Sequence, residues 1–228
     1  MPSIEAVVKT NGSAVGRNEF LQVPLLTREQ RIREAREVAR ECGTRGHFLH
    51  QPTLYADIFN DLFTRESSDG TRHNWNEIAY LEKKLAGKTV VDLGCGGRNS
   101  VYHNISIMAR FGVKNYIGVD AMLNAGANMA EAADACAGGL EPPRTRYFEE
   151  DMLVFASKLK DGSVNFFMSG IDWCIINSDA YWERLALQLA RATERGGVVF
   201  GNGVPIGIEG YFSEIYRSSY ENYIYEKK

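Results

Sequence analysis

Between Thr89 and Ser100 the chain reads Thr-Val-Val-Asp-Leu-Gly-Cys-Gly-Gly-Arg-Asn-Ser, an apolar run that carries one acid and then breaks on glycines. Val90, Val91 and Leu93 predict a short buried strand. A new apolar pattern begins near Ser100. Strand, glycine turn and helix form the unit that lets backbone N–H groups and a helix N-terminus approach a ligand closely. Asp92 is the oddity. A carboxylate at the end of a buried strand is costly unless a donor or a cation meets it, and at the mouth of a sheet a cationic ligand could be that partner.

From Lys88 onward the pattern alternates. Strands are predicted at Val90–Leu93, Tyr116–Val119, Arg146–Glu149, Val164–Met168 and Val198–Phe200. Helices are predicted between them, from about Ser100 to Phe111, Asn124 to Ala137 and Asp179 to Thr193. This alternation implies an α/β fold, a doubly wound and mostly parallel sheet with helices on both faces. Upstream, Thr27-Arg-Glu-Gln30 reads as a capping box opening a helix that Gly43 ends. A helix is predicted over Leu54–Phe63, which carries a broad apolar stripe, Arg65–Thr71 is a polar linker, and Asn74–Glu77 opens a helix that stops at Gly87. Glu5–Lys9 and Phe20–Leu26 have strand character around an Asn11-Gly12 turn, as a loose hairpin or an arm. The expected organisation is an N-terminal arm and helical lid over 1–87 and a core over 88–228.

The 228 residues carry a formal net charge of −3, which disfavours a polyanion such as nucleic acid as the main partner. Cys42, Cys95, Cys136 and Cys174 form no C-x-x-C pair, so no zinc site is expected and a reducing, cytoplasmic setting is. His47 and His50 have a metal-pair spacing but no nearby carboxylate or cysteine, so no metal is expected there. No apolar run reaches membrane-spanning length.

In open parallel sheets the ligand lies outside the carboxyl ends of the strands. Here those ends carry Asp92 with Gly94 and Gly96, then Asp120, Asp151, Ser169-Gly170 and Asn202. Three strand-end carboxylates suit hydroxyls, amines or a positive centre and not phosphates, and no P-loop sequence is present. Val-Val-Asp-Leu-Gly-Cys-Gly-Gly, followed by Tyr-Ile-Gly-Val-Asp and Glu-Glu-Asp-Met, resembles the class I S-adenosylmethionine-dependent methyltransferases over about Lys88 to Asn202. That resemblance implies S-adenosyl-L-methionine as cofactor. Asp92, Gly94 and Gly96, with Cys95 between the glycines, would line its methionine moiety and the loop approaching it. Asp120 would accept from the ribose hydroxyls, with Ala121 beside it, and Met122 would lie against the face of the adenine ring. Asp151 would accept from the adenine amine beside Met152, and Ser169 and Gly170 would border the site. The bland alternative for Asp120 is a helix N-cap, and for Asp151 a cap or a turn.

Two features depart from the family pattern. Arg98 stands where the third loop glycine usually falls, with Gly97 one place early. Only 28 residues follow the fifth predicted strand, where the family closes its sheet with a helix and an antiparallel pair. Tyr211–Tyr220 is expected as that helix and Asn222–Tyr225 as one strand. The second strand is then missing, unless the sheet is shorter or the N-terminal arm supplies the edge.

Asp172 and His103 are the candidates for contacting the acceptor, as base or anchor, against capping or core roles. His73 and Trp75 are candidate lid residues. The aromatic residues of the N-terminal helices and the tail read as core or homodimer packing, or as a wall over an apolar small molecule. Net acidity, small size and the helical N-terminal extension favour a small-molecule acceptor over RNA, and a methyltransferase acting on a protein or RNA is the alternative reading. A non-catalytic cofactor-binding partner is the alternative of another class. A nicotinamide dehydrogenase is disfavoured, because Asn99 holds the last glycine position of its fingerprint.

Overall fold

The computed structural model describes residues 20–22, 75–95, 107–121, 141–169, 178–201, 205–217 and 223–228, with Gln30, Arg33, Glu37, Glu41, Asn104 and Ile105. The first helix, α1 (Trp75–Leu85), leads into β1 (Thr89–Leu93) and β2 (Asn115–Asp120). Then come β3 (Arg144–Glu149), α2 (Met152–Ser157), β4 (Asn165–Met168), α3 (Asp179–Ala192), β5 (Val198–Gly201), β6 (Phe212–Arg217) and β7 (Tyr223–Lys227). The expected strands 90–93, 116–119, 146–149, 164–168 and 198–200 are all present, within two residues at each end. Gln30, Arg33, Glu37 and Glu41 are helical, as the capping box implies, and so are 104, 105 and 107–110. The predicted helices over 54–63 and 124–137 and the linker over 65–71 lie outside the described residues.

The seven strands follow the order β3-β2-β1-β4-β5-β7-β6. β1 through β5 are parallel, and β7 runs antiparallel to both β5 and β6. Period-2 alternation divides the side chains between two cores. Val91, Leu93, Ile117 and Phe166 face α2 and α3, together with Leu153, Phe155, Trp182 and Leu185. Val90, Tyr116, Phe167 and Phe200 face the other way, onto Leu81 and Leu85 of α1 and onto Ile105, Met108 and Phe111. Fully burying one such leucine or phenylalanine contributes about 1.5–3 kcal/mol. By the same alternation Asp92 shares a face with Val90, opposite to that of Val91 and Leu93.

The tail is not built as the sequence suggests. Phe212–Arg217, expected within a helix, is β6, and Tyr223–Lys227 pairs with it as β7. Among the described residues, the segment before the pair holds a single 3₁₀ turn, Ile208–Gly210. The misleading signal is a spacing: Phe212 and Tyr216 lie four apart, as on one helix face. The open edge of β5 overrides that local preference, since Phe200 pairs with Ile224 and Val199 with Tyr225. The sheet is thus completed by the tail itself. The N-terminal arm contributes elsewhere: Leu21 bridges antiparallel to Leu159, with Gln22 N–H donating to the Lys158 carbonyl at 2.7 Å.

Backbone approach is tightest at Gly201, the end of β5. Its φ is +129°, and a Cβ there would collide with the Met168 carbonyl. Only glycine lets β5 close on β4 at this end of the sheet.

Candidate functional site

The carboxyl ends of β3, β2 and β1 lie side by side and bring Asp151, Asp120 and Asp92 to one edge. The register sets Leu93 beside Val119 and Asp120 beside Glu149. Past Leu93 the chain turns at Gly94, whose φ of +75° suits a residue without a Cβ. The N–H groups of Gly94 and Cys95 both donate to the Val119 carbonyl, at 2.9 and 3.2 Å. This ties the exit of β1 to β2.

The three acids are held in three ways. Asp92 is fully buried. Ser169 Oγ–H donates to its Oδ1 at 2.5 Å, Asn104 Nδ2–H to its Oδ2 at 2.8 Å, and the Tyr116 hydroxyl also to Oδ2. Asn104 Nδ2 also lies 3.2 Å from Ser169 Oγ. The partner that the sequence leaves open for this carboxylate is therefore found inside the protein. Burial nevertheless pushes its pKa up from 3.8 to about 7, against the three hydrogen bonds and with help from the nearby Asp120 charge. Burial likewise raises the Tyr116 hydroxyl and the Cys95 thiol, so both stay protonated at neutral pH.

Asp151 caps α2. Its Oδ1 accepts from the N–H groups of Leu153 and Val154 at 2.9 and 3.0 Å, and the Tyr181 hydroxyl lies 2.9 Å from Oδ2. The cap alternative is thus realised at this position, whatever else the carboxylate does. The short helix it opens is absent from the sequence-based expectation; Leu153–Ala156 behind the aspartate is its signal. Asp120 is the least enclosed of the three, half-buried at the sheet edge with Ala121 half-buried after it. Its backbone carbonyl accepts from Glu150 N–H at 3.1 Å, which continues the β2–β3 ladder one step.

Of the other residues named from the sequence, Gly94 and Met152 are half-buried at this edge, and Cys95 and Ser169 are buried there. Trp75 opens α1. Gly96, Met122, Gly170, Asp172, His103 and His73 lie outside the described residues, as does Arg98. Two contributors escape the sequence reading. Tyr116, at the second position of β2, reaches Asp92 through the sheet interior, and Asn104 reaches it from the far side of the glycine loop. A tyrosine inside a buried strand and an asparagine on an otherwise apolar helix stretch are the available signals, since each needs a buried partner. Gly118 has a packing role: a Cβ there would lie 2.6 Å from the Tyr147 ring and 2.9 Å from Cys95 Sγ.

The half-buried Asp120 carboxylate suits hydroxyl or amine donors, and the positive-φ Gly94 keeps the β1 exit free of a side chain.

The fold is a doubly wound α/β sheet whose last two positions are filled by an antiparallel pair. No family model matches the sequence, and no curated protein does. Solved structures with a similar course include an rRNA methylase from Streptococcus thermophilus, 12% identical with a TM-score of 0.44 over 67% of this chain and 94% of that one. The N-methyltransferase NodS from Bradyrhizobium japonicum is 10% identical with a TM-score of 0.44, over 72% and 99%. A ribosomal protein L11 methylase from Lactobacillus delbrueckii subsp. bulgaricus is 15% identical with a TM-score of 0.41, over 68% and 78%. Among the described residues no helix is long and apolar enough to cross a membrane.

Proposed function

We propose that this chain is a class I S-adenosylmethionine-dependent methyltransferase that transfers a methyl group to a small-molecule acceptor by in-line displacement. The observation that carries the reading is the shared edge: three adjacent parallel strands carry Asp92, Asp120 and Asp151 at or just past their carboxyl ends, in the sequence context of a glycine turn. The strand order supports it further. A dinucleotide-binding dehydrogenase sheet runs 3-2-1-4-5-6. Here an antiparallel β7 is inserted between β5 and β6.

In this reading Asp120 accepts the ribose hydroxyls, and Asp151 and Met152 border the adenine. Gly94, Cys95 and Gly96 form the approach to the methionine moiety, Ala121 lies beside Asp120, Met122 lies against the adenine ring face, and Ser169 and Gly170 border the site. When bound, the donor supplies a methyl group on a positively charged sulfur. The chain's own task is to hold the acceptor in line, a contribution of up to about 7–11 kcal/mol in favourable cases. Asp172 and His103 are proposed to contact the acceptor. A general base among them would add about 10²–10⁴-fold for a hydroxyl or a protonated amine. The small-molecule assignment rests on the net charge of −3, which gives a phosphate backbone little to bind.

Parallel calorimetric titrations of the full chain with S-adenosylmethionine and with NAD test the reading. Saturable heat with the first and none with the second is expected. Binding of NAD alone would replace the methyltransferase reading with the dehydrogenase one.

A further inference from the structure

The helix that starts at the edge of the site is too short to hold itself. α2 (Met152–Ser157) has six residues, and isolated helices below about 12–15 residues are marginal in water. It is fixed from outside at both ends. At its start Asp151 caps it, and the Tyr181 hydroxyl lies 3.0 and 2.9 Å from the two carboxylate oxygens. At its finish the carbonyls are taken by two distant segments. Arg191 of α3 donates to the carbonyls of Ala156 and Ser157 at 3.0 and 3.1 Å and to that of Leu159 at 2.6 Å. The N-terminal segment 20–22 takes the rest. Gln22 donates its N–H to the Lys158 carbonyl at 2.7 Å and its side-chain amide to that of Leu159, and Lys160 N–H returns to the Phe20 carbonyl at 2.8 Å. Leu21 is buried in the core, and the Arg146 guanidinium lies 5.9 Å from the centre of the Phe20 ring.

One side chain joins the two ends of the helix. Lys158, whose carbonyl Gln22 holds, forms an ion pair with Glu150, the residue before the cap. Six residues of helix are about 9 Å long, and the lysine reaches back across that length. Both side chains are buried, 8% and 1% exposed. Taking two charges out of water is costly, and a well-packed apolar pair in such a place is often as stable or more so. Stability alone therefore gives this pair little reason to exist. What it supplies is direction: it joins the held end of α2 to Glu150, whose N–H donates to the Asp120 carbonyl at 3.1 Å.

We infer that Lys158 and Glu150 are positioning residues, which set Asp151 and Met152 against the adenine of the donor, with Lys158 itself seated by segment 20–22. The inference rests on the methyltransferase reading for the ligand, because in that reading Asp151 accepts from the adenine amine. Neither residue of the pair has to touch the ligand. A tilt of the short helix moves the Asp151 carboxylate off the amine, and a hydrogen bond weakens steeply with angle. Recognition of the amine is then lost before general affinity is.

Calorimetric titration of the full chain with S-adenosylhomocysteine and with S-inosylhomocysteine tests this. The second ligand carries a carbonyl oxygen where adenine has its amine, so the ratio of the two affinities cancels whatever the ligands share. Wild type should prefer the first by at least about tenfold, the value of one hydrogen bond to a charged acceptor. In Lys158→Met the preference should shrink to within about threefold, and Lys158→Arg, which keeps a cation for Glu150, should restore most of it.

The double variant Glu150→Leu/Lys158→Met separates positioning from stability. It replaces the ion pair with apolar side chains and should unfold in urea no more easily than wild type, yet its preference should shrink as in Lys158→Met. If Lys158→Met fails to fold, this double variant carries the comparison. A folded double variant with the wild-type ratio overturns the inference, as does a Lys158→Met that weakens both ligands by the same factor. A wild type that binds both ligands equally also overturns it, while leaving the methyltransferase reading in place. A wild type that binds neither strikes the methyltransferase reading, and with it the role of the pair toward adenine.

Discussion

Two carboxylates at opposite ends of the sheet receive the same kind of donor and behave in opposite ways. At the foot, Glu226 of β7 accepts from the Tyr80 hydroxyl of α1, and at the mouth Asp92 accepts from the Tyr116 hydroxyl of β2. The foot has a cation as well. Lys84 lies 2.8 Å from Glu226, in contact with water, and also donates to the Gly196 carbonyl at 2.9 Å. Glu226 is accordingly held below its ordinary 4.5, first by the Lys84 hydrogen bond and then by Tyr80. Asp92 has only neutral donors among the described residues and no exposure to solvent, and it rises to about 7. The tyrosine is common to both. What differs is the lysine and the solvent, so one acid is a pH-independent anchor near neutrality and the other is poised to respond.

The largest expected effect comes from removing the responsive acid. Asp92→Ala strands three buried donors and leaves a cavity. It should destabilise the fold by about 3–5 kcal/mol in urea unfolding near pH 6. A loss under about 1 kcal/mol would mean that the donors find other partners and that the mouth is not built around this carboxylate.

Next is the pH dependence. Asp92 binds its proton more tightly folded than unfolded, so between about 4 and 7 the native state holds a proton that the unfolded chain has released. Stability from this group therefore falls as pH rises through that window and levels off above about 7. In Asp92→Asn the decline should disappear, so the variant gains on wild type as pH rises. Parallel stability curves for the two proteins would place the titration elsewhere.

A smaller effect is expected on ligand affinity at the neighbouring strand end. Asp120→Ala should weaken S-adenosylmethionine binding by roughly 1.5–3 kcal/mol, the value of a charge-assisted hydrogen bond, with little change in stability. Unaltered affinity would remove Asp120 from the site.

The smallest belongs to the foot. Glu226→Gln removes a partly exposed pair and should cost no more than about 1 kcal/mol near pH 7 and moderate salt. The sign is opposite to that at the mouth. A lowered carboxylate contributes stability that is present above about 4.5 and lost as pH falls below it, so the variant and wild type should converge in acid. A cost as large as that of Asp92→Ala would erase the contrast between the two ends.

Much of this is legible in the sequence because it depends on short-range pattern. β-branched runs ending in acids give β1, β2 and their common edge, since strand period and the breaking glycine are local properties. Even Asp92 announces itself, as a charge in an apolar strand. What it bonds to does not, because Tyr116, Asn104 and Ser169 lie 24, 12 and 77 positions away, and only the sheet order brings them together. The tail shows the same limit. Phe212 and Tyr216 have helical spacing, but β7 offers them a pairing partner that no local window contains. For Asp151 the resemblance implies a ligand contact, while the cap it makes with Leu153 and Val154 is local geometry that the sequence allows equally.

The central claim is that the acidic mouth of the sheet receives an adenosine-bearing sulfonium donor. A crystal structure of the full chain grown with S-adenosylhomocysteine addresses it most directly. Ribose hydroxyls are expected within hydrogen-bond distance of the Asp120 carboxylate and the methionine end beside Gly94, with Asp92 still bonded to Ser169, Asn104 and Tyr116. Ligand bound elsewhere, or an Asp92 carboxylate turned from those donors onto the ligand's amine, would contradict it.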